Sequence, residues 1–248
     1  MIGLHKPLNV SATLTMLLIA AWCALTTACS SGQVVVEPNL PVNGIDISSH
    51  NGKIDFEAVR ADSIDFVIIK ATEGSTFKDP AFHTNHTNAL KAGLKVGAYH
   101  FFRFETNGQQ QALNLIKAVR GRHLDLPIII DIEEWGNPEP CPTPEIMGRL
   151  REMISYLESQ GYPVMIYTNR DGYERFVENQ LERVPLWLCS FDNPPLPSNN
   201  DRVTLWQYSH RGSVNGIEGD VDRNAFMGQR HEYIEWLNSL SFPPQYYD

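Results

Sequence analysis

The chain has 248 residues, of which 42% are hydrophobic and 10% aromatic. That is enough to bury a sizeable core, and it excludes a disordered polymer. There are 20 Lys and Arg residues against 29 Asp and Glu residues, a formal net charge of −9. An acidic chain without a basic run is not a nucleic-acid binder that works by neutralising phosphates. Electrostatic docking on anionic lipid is disfavoured for the same reason.

The N-terminal region indicates export. Lys6 is the only formally charged side chain before Glu37, and residues 10–25 carry no charge. An apolar run of this length is short for a membrane-spanning helix and typical of a secretory signal. The run ends in Leu25-Thr-Thr-Ala-Cys29, which resembles a bacterial lipobox, where the cysteine becomes the first mature residue and carries lipid. A plain signal peptide and an uncleaved anchor are the alternatives.

The lipoprotein interpretation divides the chain into four segments. We expect a signal peptide at 1–28, lipidated Cys29 with a short tether at 29–41, a folded body at 42–240 and a tail at 241–248. Ser30 resembles the pattern that sends lipoproteins to the outer membrane of a Gram-negative bacterium. The lipid would be the only contact with the membrane, and nothing in the sequence indicates a protein partner.

From residue 41 onward, short apolar segments alternate with helical patterns. Predicted strands lie at 44–48, 65–71, 95–102, 126–133, 163–168, 185–190 and 203–208, and predicted helices near 54–61, 80–92, 109–121, 143–160 and 170–180. Near-continuous apolar strands joined by helices are typical of a parallel sheet in an α/β fold. About eight strands in a body of this length fit a closed barrel better than an open sheet. We therefore predict a single (β/α) barrel.

Acidic side chains follow the predicted strands. Asp46 closes the first strand, Asp131 and Glu133 close the fourth, and Asp220 and Asp222 lie in the last segment. In a barrel, reacting groups gather at the ends of the strands. Two residues apart on a strand, Asp131 and Glu133 point to one face, about 6.6 Å apart along the backbone. The plainer interpretation is an acidic strand end solvated at the rim, or a helix cap.

This composition of the strand ends suits glycoside hydrolysis. That reaction needs one protonated carboxyl group for the leaving oxygen and a second negative group near the developing positive charge. Clustered carboxylates repel one another, which raises the pKa of one of them. Sugar rings pack on aromatic planes, although aromatic residues also fill barrel cores. Aromatic residues at or after the strands are Tyr99, Phe101, Phe102, Trp135, Tyr167, Trp187, Trp206 and Tyr208.

Seven segments in register resemble a known family. They are Gly44-Ile-Asp46-Ile-Ser48, Phe66-Val-Ile-Ile-Lys70-Ala-Thr-Glu73-Gly74, Gly97-Ala-Tyr99-His-Phe101, Leu126-Pro-Ile-Ile-Ile-Asp131-Ile-Glu133, Ile166-Tyr167-Thr168, Leu205-Trp206-Gln207-Tyr208 and Gly219-Asp-Val-Asp222-Arg-Asn224. The set resembles glycoside hydrolase family 25, the lysozyme family of N-acetylmuramidases, over about residues 42–228.

The resemblance implies an irregular β/α barrel of about eight strands and five helices. It implies cleavage of the β-1,4 bond between N-acetylmuramic acid and N-acetylglucosamine in peptidoglycan. Glu133 matches the general acid/base, and Asp131 the partner that orients the substrate's 2-acetamido group, whose carbonyl oxygen would be the nucleophile in a retaining reaction. Asp46 and Asp222 match the flanking carboxylates. No metal or organic cofactor is implied.

Alternatives remain open at this point. The residues expected to contact sugar are Tyr99, Phe101, Tyr167, Trp206, Gln207 and Asp220, and Asp220 ranks second to Asp222 for the flanking position. A non-catalytic glycan-binding module could use the same fold. A hydrolase of chitin-like acetamido sugars would use the Asp-x-Glu pair equally well. Cys141 and Cys189 could form a disulfide or stay free, because the sequence does not give their Cα distance.

Overall fold

The computed structural model describes residues 39–137, 141–191 and 202–244. All of them belong to one compact unit, Val35–Asp248. The predicted signal peptide, Cys29 and most of the predicted tether lie outside the described residues. Within the described ranges, no helix is long and apolar enough to cross a membrane.

Eight strands form a closed barrel, which confirms the predicted fold class. The described residues form nine strands, eight of them in the barrel: β1 (Asn43–Ile47), β2 (Phe66–Glu73), β3 (Phe77–Lys78), β4 (Lys95–Phe101), β5 (Ile128–Asp131), β6 (Val164–Asn169), β7 (Leu186–Cys189), β8 (Val203–Gly212) and β9 (Val221–Phe226). The order around the barrel is β1-β9-β8-β7-β6-β5-β4-β2, and pairing of β1 with β2 closes it. The short β3 pairs with β2 alone and stands outside this ring.

Seven of the barrel strands are parallel, as predicted, and β9 is not. It runs antiparallel to both of its neighbours, β1 and β8. The seven strands predicted from the sequence end at 203–208, so β9 lies outside the prediction. The link between β8 and β9, residues 213–220, contains no helix. Parallel neighbours need a longer crossover connection, so the chain turns back on itself here.

Helices surround the barrel close to their predicted positions. They are α1 (Phe56–Ala61), α2 (Phe82–Lys91), α3 (Gly108–Val119), α4 (Thr143–Ser159), α5 (Arg170–Gly172) and α6 (Arg230–Ser239). The fifth predicted helix is only one turn of α-helix, α5, which continues as a π-helix over Tyr173–Val177. The sequence did not predict α6, because Tyr233 is the one buried residue along it and its apolar stripe is weak.

Alternate residues of each strand pack into two separate hydrophobic cores, one between the barrel and the helices and one inside the barrel. On β5, Ile128 and Ile130 pack outward against the helices, whereas Ile129 points into the barrel. The inward residues that fill the lumen include Phe66, Ile68, Leu126, Ile129, Met165, Trp187 and Leu205. Gly44 on β1 makes room for this filling, since a Cβ there would lie 2.2 Å from the ring of Phe66. The lumen is thus a packed apolar layer and not a pore.

Close contact between α3 and α4 gives a test of the fold. A Cβ on Gly108 would lie 1.9 Å from the backbone oxygen of Arg149. We expect Gly108→Ala to lower the free energy of unfolding by about 1–3 kcal/mol, because the helices must separate. Chemical denaturation measures the change.

Gly148→Ala is the matched control on α4. A Cβ there meets nothing within 4 Å, so alanine should stabilise the helix by up to about 1 kcal/mol through its better propensity. Equal effects of the two substitutions would contradict the packing described for α3 and α4.

Candidate active site

Polar side chains form a layer at one end of the barrel, above its apolar filling. Strand by strand they are Asp46, Lys70, Tyr99, Asp131, Tyr167, Cys189, Gln207 and Asp222. Seven parallel strands contribute residues near their carboxyl ends. The antiparallel β9 contributes from its beginning, which places Asp222 directly opposite Asp46 in the register. We refer to this end as the mouth.

Two amide side chains hold Asp46 in place. Gln207 Nε2 donates to Asp46 Oδ2 at 2.9 Å, and Asn224 Nδ2 donates to the same oxygen at 2.8 Å. Each amide oxygen accepts its own hydrogen bond, from the Tyr167 hydroxyl at 2.8 Å and from Trp187 Nε1 at 2.8 Å respectively. Because those donors occupy the amide oxygens, both NH₂ groups must face Asp46. This arrangement stabilises a negative charge on Asp46.

Asp46 and Asp222 share a hydrogen bond inside the mouth. Burial raises the pKa of Asp46 to about 6, against the opposing effect of the hydrogen bonds it receives. Burial and the charge of Asp46 raise the pKa of Asp222 to about 8. Since two amides already stabilise the anion of Asp46, Asp222 keeps the proton at neutral pH and donates it to Asp46.

Asp131 and Glu133 form the second carboxyl pair. Burial, reinforced by the charge of Asp46, raises the pKa of Glu133 to about 7, while the Lys70 cation opposes the rise. Burial and the charge of Glu133 hold the pKa of Asp131 well above its usual range. Asp131 Oδ1 is buried and lacks a hydrogen-bond partner among the described residues. A substrate donor that reached this oxygen would satisfy it.

The strand that carries this pair is shorter than predicted. β5 ends at Asp131, so Glu133 lies in the turn that follows and not on the strand. Ile132 still points outward into the helical layer. Glu134 also points away from the mouth, where it forms an ion pair with Arg175. Side chains at 131–134 therefore alternate between inward and outward, as predicted. Of the two adjacent glutamates, only Glu133 belongs to the carboxyl cluster.

Lys70, whose charge acts on Glu133, belongs to a network of charged side chains. Lys70 Nζ lies 2.7 Å from Glu73 Oε2, and Arg103 Nη2 lies 2.6 Å from Glu73 Oε1. Both cations also lie over the ring of Phe101, at 5.2 Å and 5.3 Å from its centre. Lys70 is therefore paired with a carboxylate.

Not every residue expected at the site reaches it. Tyr99, Phe101, Tyr167 and Gln207 lie at the mouth with the four carboxyl groups. Trp206 points to the other face of β8, where it packs with Tyr208 and donates to the backbone oxygen of Ser190 at 2.6 Å. Asp220 is exposed in the turn before β9. The structure thus separates Trp206 and Asp220 from the cluster.

Two residues at the mouth, Asn224 and Cys189, were not among the site residues expected from the sequence. Asn224 is fully buried, and its position two residues after Asp222 on one strand could have shown that both face inward. Burial raises the pKa of the Cys189 thiol to about 12. Cys189 packs inside the barrel and Cys141 packs against the outer core, so the two thiols lie on opposite sides of the sheet and are free. In the described ranges, no three His, Cys, Asp or Glu side chains are placed to hold a metal ion.

Comparisons with known proteins agree with this geometry. The chain is 32% identical over 185 residues to an autolytic lysozyme of Clostridium acetobutylicum, covering 75% of this chain and 56% of that protein. It is 33% identical to lysozyme M1 of Streptomyces globisporus, covering 81% and 72% of the two chains. A solved family 25 glycosyl hydrolase from Bacillus anthracis superposes with a TM-score of 0.74 at 34% identity, over 79% of this chain and 93% of that one. Residues 45–217 match the family "Glycosyl hydrolases family 25". The chain belongs to this family.

Proposed function

We propose that the protein hydrolyses peptidoglycan by cleaving the β-1,4 bond between N-acetylmuramic acid and N-acetylglucosamine. The observation that carries the proposal is the cluster of four carboxyl groups at the mouth. Three of their pKa values are raised to between about 6 and 8, and that of Asp131 is held well above its usual range. The relatives named as lysozymes support the same substrate.

Glu133 is the proposed general acid. A pKa of about 7 leaves a substantial protonated fraction at neutral pH, and it makes the carboxylate basic enough to take a proton back later. In the first step Glu133 gives its proton to the glycosidic oxygen while the bond from that oxygen to the anomeric carbon breaks.

Asp131 is the proposed partner of the substrate's 2-acetamido group. Its Oδ1, which lacks a hydrogen-bond partner among the described residues, would accept a hydrogen bond from the acetamido N–H. That hydrogen bond increases the electron density on the acetamido carbonyl oxygen and makes it a better nucleophile. That oxygen bonds to the anomeric carbon as the leaving group departs. Water, deprotonated by Glu133, then opens the resulting ring from the opposite face, so the configuration is retained.

We also infer that the protein is exported and held to the envelope by lipid on Cys29. The supporting pattern is the charge-free run at 10–25 followed by Ala28-Cys29-Ser30. The tether at 29–41 spans at most roughly 45 Å when extended. It joins the body just before β1, at the end of the barrel away from the mouth. The body at 42–240 would then be the catalytic domain, with the tail at 241–248.

Replacement of the acid tests the reaction. We expect Glu133→Gln to lower kcat by about 10²–10⁴-fold, because glutamine cannot protonate the leaving oxygen. Digests of purified peptidoglycan, reduced and analysed by mass spectrometry, should show reducible muramic acid with the wild type. Glu134→Gln is the matched control and should stay close to wild type, since Glu134 pairs with Arg175 away from the mouth.

Other products would indicate the other functions. Reducible glucosamine would move the cut to the other linkage, and cleavage of chitin oligomers in preference to peptidoglycan would favour a chitin-like substrate. Retained binding without any release of fragments by the wild type would favour a glycan-binding module.

The electrostatics of the cluster predict a pH dependence. kcat/KM should fall above about pH 7 as Glu133 loses its proton. Asp46→Asn should shift this alkaline limb to lower pH, because it removes a negative charge that raises the pKa of Glu133. Lys70→Gln should shift it to higher pH, because it removes a cation that lowers the same pKa.

The measurement is a complete pH profile of kcat/KM for the wild type and both variants. The quantity compared is the pH at which kcat/KM falls on the alkaline side, and not its maximal value. Shifts in the same direction for Asp46→Asn and Lys70→Gln would refute Glu133 as the group that titrates.

The anchor is tested by cell fractionation. Cys29→Ser should move the protein from the membrane fraction to the soluble fraction and abolish labelling by fatty acid, without changing hydrolysis by the purified protein. Cys23→Ser is the matched control, because Cys23 precedes the proposed cleavage point. Membrane retention of Cys29→Ser would point to an uncleaved anchor instead.

A further inference from the structure

A tryptophan lies in water next to the proposed acid. Trp135 follows Glu133 by two residues, and its side chain is 78% exposed, the largest exposure of any large hydrophobic residue in the described ranges. An indole in water leaves a large apolar area uncovered. Because consecutive Cα atoms are 3.8 Å apart, the Cα atoms of Trp135 and Glu133 are within about 7.6 Å of each other.

The turn that presents this indole is held by hydrogen bonds. Asn137 Nδ2 donates to the backbone oxygens of Glu133 at 2.9 Å and of Phe102 at 3.1 Å. Asn137 Oδ1 accepts from the backbone N–H of Phe104 at 3.0 Å. The Asn137 side chain therefore holds both ends of the turn against the loop that follows β4.

Gly136 fixes the turn from its other side. Its backbone oxygen accepts from Arg103, and a Cβ on it would lie 3.4 Å from the ring of Phe101. Its φ of 76° is in the left-handed region that favours glycine. The backbone beneath Trp135 is thus set before any ligand arrives, which lowers the entropy lost on binding.

We propose that Trp135 stacks on a sugar ring of the glycan strand adjacent to the bond that Glu133 cleaves. This inference rests on the proposed function and extends it by naming a binding residue outside the carboxyl cluster. The turn around Trp135 is charged or polar: Glu133 and Glu134 precede it, Asn137 follows it, and Arg103 donates to the backbone oxygen of Gly136. An acetamido sugar fits this setting, because it offers a C–H face to the indole and polar groups to the neighbours. A lipid or protein partner would need a contiguous apolar patch.

Kinetics of the full chain on purified peptidoglycan test the proposal. Trp135→Ala should raise KM about three- to tenfold with little change in kcat, as expected for loss of an interaction that binds ground state and transition state equally. Trp135→Phe should recover part of the affinity. Ile234→Ala, which removes another exposed apolar side chain on α6, is the matched control and should leave KM unchanged.

Binding without turnover separates this proposal from the proposed hydrolysis. In a Glu133→Gln background, soluble peptide-stripped glycan strands should protect tryptophan fluorescence from quenching by acrylamide. Trp135→Phe should abolish that protection, because Trp187 and Trp206 are already buried and the partly buried Trp236 stacks on Phe226 at the far end of β9.

Three results decide between the two claims. Equal KM and equal glycan binding for wild type and Trp135→Ala would overturn the stacking proposal while leaving hydrolysis intact. Protection that persists in Trp135→Phe would overturn it as well. Glycan binding that depends on Trp135 in a wild-type protein that releases no fragments would support stacking and refute hydrolysis.

Discussion

Burial of four carboxyl groups at one end of a packed barrel, reinforced by repulsion among them, governs the rest of the site. Asp46 carries the charge, because Gln207 and Asn224 both donate to it and Asp222 supplies a third hydrogen bond. Burial, reinforced by that charge, raises the pKa of Glu133 and keeps a proton on it near neutral pH. The acidity of Glu133 therefore depends on residues that need never contact the substrate, including the donors that fix the two amides.

The same cluster opposes folding as the pH rises. A carboxyl group whose pKa is raised in the folded state binds its proton more tightly there than in the unfolded chain. The stability gained is complete below the unfolded pKa, near 4, and is lost as the pH rises to about 6–8. The apolar layer beneath the mouth, with Phe66 and Trp187 among its largest members, offsets this cost. Sites that do chemistry commonly carry such a penalty.

The sequence predicted the barrel and the acidic pair because both depend on the alternation of inward and outward side chains along a strand. That alternation is local in the sequence. Ile129, Asp131 and Glu133 alternate with outward isoleucines, and that pattern is visible in the chain. The direction of β9 is not local, since it depends on how residues 213–220 turn the chain back after β8. Trp206 and Gln207 were both expected at the site, yet adjacent strand residues face opposite sides. Once Gln207 points inward, Trp206 must point outward.

β1 begins at the end of the barrel away from the carboxyl cluster. Its first residue, Asn43, hydrogen-bonds Asp65, which is in turn held by Arg230 at 2.8 Å. Arg230 also donates to the backbone oxygen of Pro41. The incoming chain is thus fixed at the end of the barrel where β1 begins, whereas Asp46 lies near the end where β1 stops.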